Sequence, residues 1–245
     1  MRVEIWSDVV CPWCYIGKRR FESALERFEH RDEVEVVWRA FELDPAGPVE
    51  REGEYTARLS SKYGVPLAEA EAMVERMTRV GDDEGIDMRF DHARPGNTFD
   101  AHRLIHLGLE RGVQDAVKER LLAATFTEGR PIGRTETLVE VAVEAGLDED
   151  EARALLAGDR FAAEVRAEER QARAYGITGV PFFVVNGAFG VPGAQNPDVL
   201  LDVLREAWAG GHATAPPGDE TVDQAGDETV DQAGDEACEG DICAV

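Results

Sequence analysis

The chain has 245 residues, of which 43% are hydrophobic, enough to fill the core of one large domain or of one domain carrying an insertion. Its formal net charge of -24, from 26 Lys and Arg against 50 Asp and Glu, argues against nucleic acid or an anionic membrane surface as the main partner. The first residues lack the apolar core of a secretion signal, and no apolar run is long enough to span a bilayer, so we expect a cytoplasmic protein.

The start of the chain predicts a β-α-β unit. Val3 and Ile5 alternate with polar residues in a short strand, which runs directly into Ser7-Asp8-Val9-Val10-Cys11. A helix is predicted from Pro12, because proline is tolerated in the first turn, where its missing N–H needs no partner. Residues 34–40 then alternate as a second strand.

A long run of helices follows. Its apolar stripes begin at Leu67, Phe99 and Val117, and further helices are predicted near Leu138, after the start signal Asp148-x-x-Glu151, and from Phe161 to Tyr175. No strand signal interrupts this run. We therefore predict that residues 45–176 are a helical insertion.

Strands return late in the chain. Residues 181–185 form an apolar strand, Asn186-Gly187 is a strong signal for a hairpin turn, and residues 188–191 form the return strand. Asn196-Pro197-Asp198 then predicts the start of a last helix. The predicted order is β-α-β, helical insertion, β-β-α.

The end of the chain differs in composition. Beyond Gly210 the sequence Gly-Asp-Glu-Thr-Val-Asp-Gln-Ala occurs twice in tandem, at 218–225 and 226–233, and residues 211–245 hold ten acidic residues and no Lys or Arg. Such a polar segment buries too little apolar surface to fold alone. We therefore predict an acidic disordered tail over residues 211–245.

Two of the four cysteines form the motif Cys11-Pro12-Trp13-Cys14 at the predicted junction of strand and helix. Unpaired N–H groups and the positive end of the helix dipole stabilise an anion there, so Cys11 is the expected nucleophile, with a lowered pKa. Cys14 lies one turn along and is the expected resolving thiol. Pro12 and Trp13 are expected to support the site, with Trp13 partly exposed for substrate contact. The spacing alone also fits buried structural thiols or half of a metal site.

Gly179-Val180-Pro181 precedes the late apolar strand. A proline at this place is either an edge residue or part of a cis peptide bond. Together with a CxxC motif after the first strand, Val180 and Pro181 take the position of the cis-proline loop that faces the dithiol in thioredoxin-like proteins. The exposed backbone of that loop would pair with an extended substrate.

These segments resemble the DsbA-family proteins of FrnE type. The resemblance is carried by Ser7 to Gly17, Asn97 to Leu104, Gly179 to Phe183 and Gly193-Ala194-Gln195, and it covers about residues 1–209. It implies an α/β, thioredoxin-like fold with an inserted all-helical domain. It also implies a redox-active CPWC motif, a cis peptide bond at Pro181, and dithiol-disulfide oxidase or isomerase activity.

The predicted elements divide the chain into four parts. Residues 1–44 and 177–210 form the two parts of the thioredoxin-like domain, residues 45–176 the helical insertion, and residues 211–245 the tail. One departure is Val191-Pro192-Gly193, where the family more often has a serine before the glycine.

Residues near position 100 offer further candidates. Kappa-class glutathione transferases and 2-hydroxychromene-2-carboxylate isomerases resemble the same architecture, and by that analogy Asn97, Thr98 and His102 lie beside the active site and bind a thiol substrate. A helix cap at Asn97 is the alternative. His102 and His106 are four residues apart, but without a third ligand they are better explained as ordinary core or surface histidines than as a metal site.

Cys238 and Cys243 close the tail, and we predict that they are an auxiliary redox pair that relays disulfides. The linker of 28 residues that runs from Gly210 to Cys238 has a root-mean-square reach of roughly 30 Å, which suffices to meet Cys11 in the same molecule. An incidental tail with exposed thiols is the alternative. The neighbouring acidic residues disfavour a thiolate at Cys238, which is therefore expected to be less reactive than Cys11.

Three classes of function stay open. The first is a thiol-disulfide oxidoreductase that works through CPWC. The second is a glutathione-dependent isomerase or transferase of the kappa-class type, although those proteins typically have serine where this chain has Cys11. The third is a zinc-binding module that uses all four cysteines. Neither cofactor nor metal is expected, and the expected partners are thiol or disulfide substrates, either proteins or small molecules such as glutathione.

Overall fold

Strands lie near both ends of the chain, and helices fill the middle. The structure is a computed structural model that describes residues 1–212 and, as backbone only, residues 243–244. Its strands are β1 (Arg2–Ser7), β2 (Glu35–Ala40), β3 (Gly179–Val180), β4 (Phe182–Val185), β5 (Phe189–Pro192) and β6 (Cys243–Ala244). Its helices are α1 (Pro12–Glu26), α2 (Tyr55–Tyr63), α3 (Leu67–Asp83), α4 (Phe99–Glu110), α5 (Gln114–Phe126), α6 (Thr135–Glu144), α7 (Glu149–Ala157), α8 (Ala162–Ala174) and α9 (Pro197–His212), and Arg31–Glu33 form a 3₁₀ turn.

Four strands form a mixed sheet in the order β2-β1-β4-β5. Strand β1 pairs in parallel with β2, which sets Ile5 opposite Trp38, and in antiparallel fashion with β4, which sets Ile5 opposite Phe183. Strands β4 and β5 form the hairpin, whose turn residues Asn186 and Gly187 both have positive φ, 51° and 69°. These are the dihedral signs of the tight turn that the Asn-Gly pair predicts.

The first and last helices cover the sheet together. Helix α1 contacts α9, and the ring of Phe21 in α1 lies 5.6 Å from that of Phe183 in β4. Their buried apolar side chains belong to one cluster with those of β1 and β2. Burial of such side chains stabilises the fold by about 1.5–3 kcal/mol each.

The helices between β2 and β3 are anchored on the edge strand β2. The side-chain amide of Gln114 in α5 accepts a hydrogen bond from the Trp38 amide and donates one to the Trp38 carbonyl, both at 3.0 Å. The indole of Trp38 also donates to Asp115 at 3.0 Å. Helix α5 is therefore held beside β1 and the start of α1, and this position brings its side chains to the cysteine motif.

Two local features differ from the sequence prediction. Pro181 lies between β3 and β4 and pairs with neither, because proline has no N–H to donate to a ladder. Helix α2 lies within the predicted helical insertion but was not predicted as an element of its own, because its apolar positions Tyr55, Leu59 and Tyr63 span only two turns; it ends at Gly64, whose φ of 66° suits glycine. Of the described helices, none combines the length and the apolar character that a bilayer span requires.

Candidate active site

The two cysteines of CPWC lie where β1 passes into α1. Cys11 is the N-cap residue of α1 with extended backbone, and Pro12 occupies the first helical position. The Cys14 amide donates to the Cys11 carbonyl at 3.1 Å, and both residues are buried free thiols. No acidic side chain lies in the first turn of α1, so nothing on the helix itself opposes a negative charge at its N-terminus.

The loop between β3 and β4 faces this pair. The Val180–Pro181 peptide bond is cis. The Cys11 Sγ donates a hydrogen bond to the Val180 carbonyl at 3.5 Å. Gly17 in α1 makes this approach possible, because a Cβ at that position would lie 2.8 Å from the Pro181 Cγ.

A cluster of buried polar side chains lies beside the dithiol. Ser7, Asp8, His102 and Lys118 are each at most 2% exposed. The Asp8 carboxylate accepts from the amides of Val9 at 2.7 Å and Leu43 at 2.8 Å. The His102 Nε2 lies 3.3 Å from Asp8 Oδ1 without the alignment of a good hydrogen bond, so their interaction is mainly electrostatic.

Ionisation of this cluster is strongly shifted. Burial opposes the charge on Asp8, but His102, the Leu43 amide and Lys118 outweigh it and lower the pKa of the Asp8 carboxyl. Burial lowers the pKa of Lys118 to about 8, against the opposing pull of Cys14, Asp8 and Cys11. At neutral pH the cluster therefore holds an Asp8 carboxylate and a mostly protonated Lys118.

The lowered thiol pKa lies at Cys14. Burial raises the pKa of Cys14, but a hydrogen bond from Cys11, the charge of Lys118 and the nearby Ser7 hydroxyl together bring it below the usual value. The Cys11 S–H thus has two acceptors, the Val180 carbonyl and the sulfur of Cys14. The sequence predicted a lowered pKa at Cys11; in the structure the pKa of Cys14 is lowered, with the Cys11 S–H as a donor to its sulfur, and two thiols that interact so closely titrate as a pair.

A groove opens next to the motif. It has a volume of about 810 Å³. Its walls are mostly apolar and include Pro12, Trp13, Leu43, Leu59 and Met77. The charged residues that line it are Arg51, which is paired with Asp44, and Arg58 and Lys62. The groove can therefore take an apolar group with an acidic end beside the dithiol.

Comparison with known proteins identifies the family. Residues 2–205 match the DSBA-like thioredoxin domain. The chain belongs to this family. The predicted DsbA resemblance, the α/β thioredoxin-like fold and the oxidoreductase class of enzyme are thereby confirmed.

This DSBA-like protein is similar to several known proteins over most of its length. A probable DsbA oxidoreductase from Streptomyces coelicolor is 44% identical, with a TM-score of 0.82 over 100% of this chain and 99% of that one. The uncharacterized protein YwbO of Bacillus subtilis is 28% identical over 84% of this chain and 96% of its own length. The cytosolic disulfide reductase DsbM from Pseudomonas aeruginosa, in a structure with GSH, is 17% identical with a TM-score of 0.61 over 85% of this chain and 99% of that one, a likeness of fold alone.

Other predicted site residues of this DSBA-like protein lie deeper than expected. Trp13 is 6% exposed rather than open to solvent, because its ring packs in the apolar cluster around the cysteines and borders the groove with one edge. Thr98 and His102 are 2% and 1% exposed, so their contact with substrate stays a prediction that burial disfavours. Asn97 precedes Thr98, the N-cap residue of α4, and its side chain accepts a hydrogen bond from the Phe99 amide at 3.0 Å, so it is engaged at the start of that helix.

The remaining candidates separate. His106 does not join His102; its Nε2 lies 3.1 Å from Glu168. Cys243 is in β6, whose backbone pairs with β3 so that Cys243 stands opposite Val180. Cys238 lies outside the described residues.

Sequence reasoning missed Asp8 and Lys118 as site residues. Asp8 lies in the segment from Ser7 to Gly17 that carries the family resemblance, but no role was predicted for it there. No role was predicted for Lys118 either. A signal for Lys118 was present, since it lies three, four and seven residues before Leu121, Leu122 and Thr125 on one helical face, and all of these are buried. A lysine on an apolar stripe is rarely buried without a purpose.

Proposed function

We propose that the protein is a thiol-disulfide oxidoreductase that exchanges disulfides with its substrates through Cys11 and Cys14. The observation that carries this proposal is the hydrogen bond from the Cys11 thiol to the Val180 carbonyl, at the N-terminus of α1 and beside the cis peptide bond. This arrangement gives a nucleophilic sulfur, a resolving sulfur one turn away and a backbone edge that a substrate can bind.

The reaction balances without a cofactor. The Cys11 thiolate attacks one sulfur of a substrate disulfide, forms a mixed disulfide with it, and releases the other sulfur as a thiolate. Cys14 then gives its proton to the released substrate thiolate and attacks the Cys11 sulfur; the bond from Cys11 to the substrate breaks, and the second substrate sulfur leaves as a thiolate that water protonates. Two electrons have passed to the substrate and the enzyme holds a Cys11–Cys14 disulfide; the reverse sequence oxidises a dithiol substrate.

Two features support a choice of substrate. The antiparallel pairing of β6 with Gly179–Val180 supports an extended peptide as one kind of substrate at the loop. Three basic residues, Arg51, Arg58 and Lys62, line the groove against the single carboxylate of Asp44. This charge supports a small acidic disulfide, such as that of glutathione, as a second kind of substrate. We further propose the cytoplasm as the place of action, where closely spaced cysteines serve redox chemistry rather than structural cross-links.

The tail pair is part of the proposal as a relay. Because Cys243 stands opposite Val180 in the backbone pairing, a disulfide between Cys238 and Cys243 would be presented to Cys11 as a tethered substrate. The double variant Cys238→Ser/Cys243→Ser should turn over a protein disulfide more slowly while still reacting with the disulfide of glutathione. Equal turnover of both substrates in both proteins would remove the relay.

The main test is the equilibrium of the Cys11/Cys14 pair with a glutathione redox buffer. It is measured by counting thiols in the protein that carries Cys238→Ser and Cys243→Ser, so that only the CPWC pair reports. We expect one reversible two-electron transition, and its midpoint distinguishes an oxidant from a reductant. A pair that forms no disulfide at any buffer ratio would contradict the proposal.

Two serine variants form a matched comparison. Cys11→Ser should abolish exchange, because the attacking sulfur is gone. Cys14→Ser should stall as a mixed disulfide between Cys11 and the substrate, which mass spectrometry detects. A kappa-class type of isomerase would instead keep converting an aromatic substrate in the Cys14→Ser variant, and this result would favour the rival function.

A further inference from the structure

Lys118 in α5 is an isolated buried cation. Its side chain is 0% exposed, and within the part of the chain that the structure describes its Nζ has no hydrogen-bond partner. Its Nζ lies over the ring of Trp38, 5.5 Å from the ring centroid. A cation–π contact recovers only part of the cost of removing an ammonium group from water.

The position of Lys118 is fixed against the helix that carries the cysteines. Its neighbour Glu119 accepts a hydrogen bond from the Tyr15 hydroxyl at 2.9 Å and lies 3.1 Å from the Lys18 Nζ. Asp115, one turn earlier in α5, lies 3.2 Å from the same Nζ. These contacts hold the turn of α5 with Lys118 against the turn of α1 with Cys14.

Lys18 is an instructive contrast. It is also buried, at 2% exposure, but three carboxylates surround its ammonium group, those of Glu22, Asp115 and Glu119. Lys118 has no such set. The groups of opposite charge that act on it are Asp8 and the two sulfurs of the dithiol.

We propose that Lys118 is a positioning residue for disulfide exchange, the buried counter-ion of the thiolate that the Cys11/Cys14 pair carries when it is reduced. This inference rests on the proposed function and adds a direction to it. In the reduced enzyme the ammonium group faces a thiolate and Asp8. In the oxidised enzyme both sulfurs are joined and uncharged, so Lys118 faces Asp8 alone, which already interacts with His102 and two amides. Lys118 therefore favours the dithiol over the disulfide, which makes the enzyme a stronger oxidant.

The charges around the site agree in sign with this role. Lys118 contributes to the lowered pKa of Cys14, and the sulfurs of Cys14 and Cys11 in turn raise the pKa of Lys118 against the effect of burial. Lys18 from α1 acts on Lys118 in the opposite direction.

The first experiment replaces Lys118 by the neutral, similarly long methionine, in the protein with Cys238→Ser and Cys243→Ser. The ultraviolet absorbance of the thiolate is followed against pH, and the equilibrium with glutathione is measured in parallel. Lys118→Met should move the thiolate transition upward by at least about one pH unit, and each unit should shift the equilibrium about tenfold toward the disulfide while the pKa lies below the ambient pH. Lys18→Met, which removes the same charge from a fully paired site, should give at most about a third of this shift.

A second measurement needs no change at Lys118. The chain has three lysines, at positions 18, 62 and 118. Their side-chain resonances in isotope-labelled protein can be assigned from single variants and titrated in both redox states. The pKa of Lys118 should be higher in the dithiol form than in the disulfide form, while that of Lys62, exposed on α2, should stay the same.

The outcomes separate this inference from the proposed function. A wild-type pair that forms no disulfide in glutathione buffer removes the proposed function. A wild-type pair that does form it, together with unchanged thiolate absorbance and equilibrium in Lys118→Met and an unchanged Lys118 pKa between redox states, overturns the role of Lys118 alone.

Discussion

Replacement of Lys118 by methionine should make the folded protein more stable while it weakens the redox centre. The pKa of Lys118 falls from 10.5 to about 8 in the folded protein. At neutral pH this lysine is protonated in both states, so the folded protein bears the cost of holding the ammonium group in a buried place. A shift of this size corresponds to about 3 kcal/mol.

The sign of the pH dependence follows from the direction of the shift. A cation whose pKa is lowered by folding destabilises the fold below its folded pKa, and this penalty disappears as the pH rises through about 8 toward 10.5. Methionine carries no charge and has a similar length, but it will not fill the space perfectly. We therefore expect Lys118→Met to gain roughly 1–3 kcal/mol at neutral pH and to lose this advantage near the unfolded pKa of lysine.

The assay is urea unfolding of wild-type and variant protein, both reduced and both lacking the tail cysteines, at neutral pH and in steps toward pH 10. In thermal unfolding of the same proteins, the gain in stability should appear as a rise in Tm of about 2–4 °C per kcal/mol for a chain of this size. The same comparison on the oxidised proteins completes a thermodynamic cycle: the gain should be larger there, because no thiolate compensates Lys118. A variant that is less stable than wild type at neutral pH, or a difference that does not change with pH, would refute the reasoning.

Three further predictions concern other parts of the site and fold. Gly17→Ala should destabilise the protein by about 1–3 kcal/mol and slow its exchange with glutathione disulfide, since the added Cβ would lie 2.8 Å from the Pro181 Cγ. Gly210→Ala is the control, because it lies in a helix and a Cβ there would have nothing within 4 Å; it should stabilise the protein slightly against urea. Burial and the neighbouring Glu169 raise the pKa of Glu42 to about 8, although Arg166 opposes them. The protonated carboxyl therefore contributes stability that is fully present below the unfolded pKa of 4.5 and is lost as the pH rises through 8. Glu42→Gln should flatten this loss of stability in urea unfolding at successive pH values, and an unchanged slope would contradict the prediction. Asp8→Asn should reduce the affinity of Lys118 for its proton, seen as a lower lysine pKa by NMR, whereas an unchanged value would separate the two groups electrostatically.

Much of the architecture could be predicted because its signals are local. The strand before Cys11, the proline at the first position of α1 and the Asn186-Gly187 turn each depend on residues adjacent in the chain. Asp148 likewise caps α7 by accepting from the Glu151 amide at 2.9 Å, as its spacing indicates. Helix α2 was not predicted individually because it has only nine residues: Tyr55, Leu59 and Tyr63 recur at helical spacing, but three apolar positions are too few to distinguish a short helix from a loop.

The polar cluster could not be predicted, because its members come from three separate parts of the chain. Asp8 follows β1, while His102 and Lys118 lie in α4 and α5, about a hundred residues later. The spacing within α4 predicts that His102 shares a face with Ile105, three residues later, but it does not predict that Asp8 lies beside that face. The backbone pairing of Cys243 with Val180 also joins distant parts of the chain, and the composition of the tail could not predict which residues pair.

The position of Lys118 changes how the helical insertion is understood. The thioredoxin-like part supplies the sulfurs, the helix N-terminus and the loop with the cis bond, and these are the groups to which we assign the proposed disulfide exchange. The insertion supplies the cation beside the sulfurs, from a helix that Gln114 fixes to the backbone of β2. A lid that merely covers the active site would need no buried charge at this place. Because the free energy of that charge depends on the redox state of the pair, the insertion and the dithiol form one electrostatic unit, and substitutions that loosen α5 from β2 should alter the redox equilibrium without touching either cysteine.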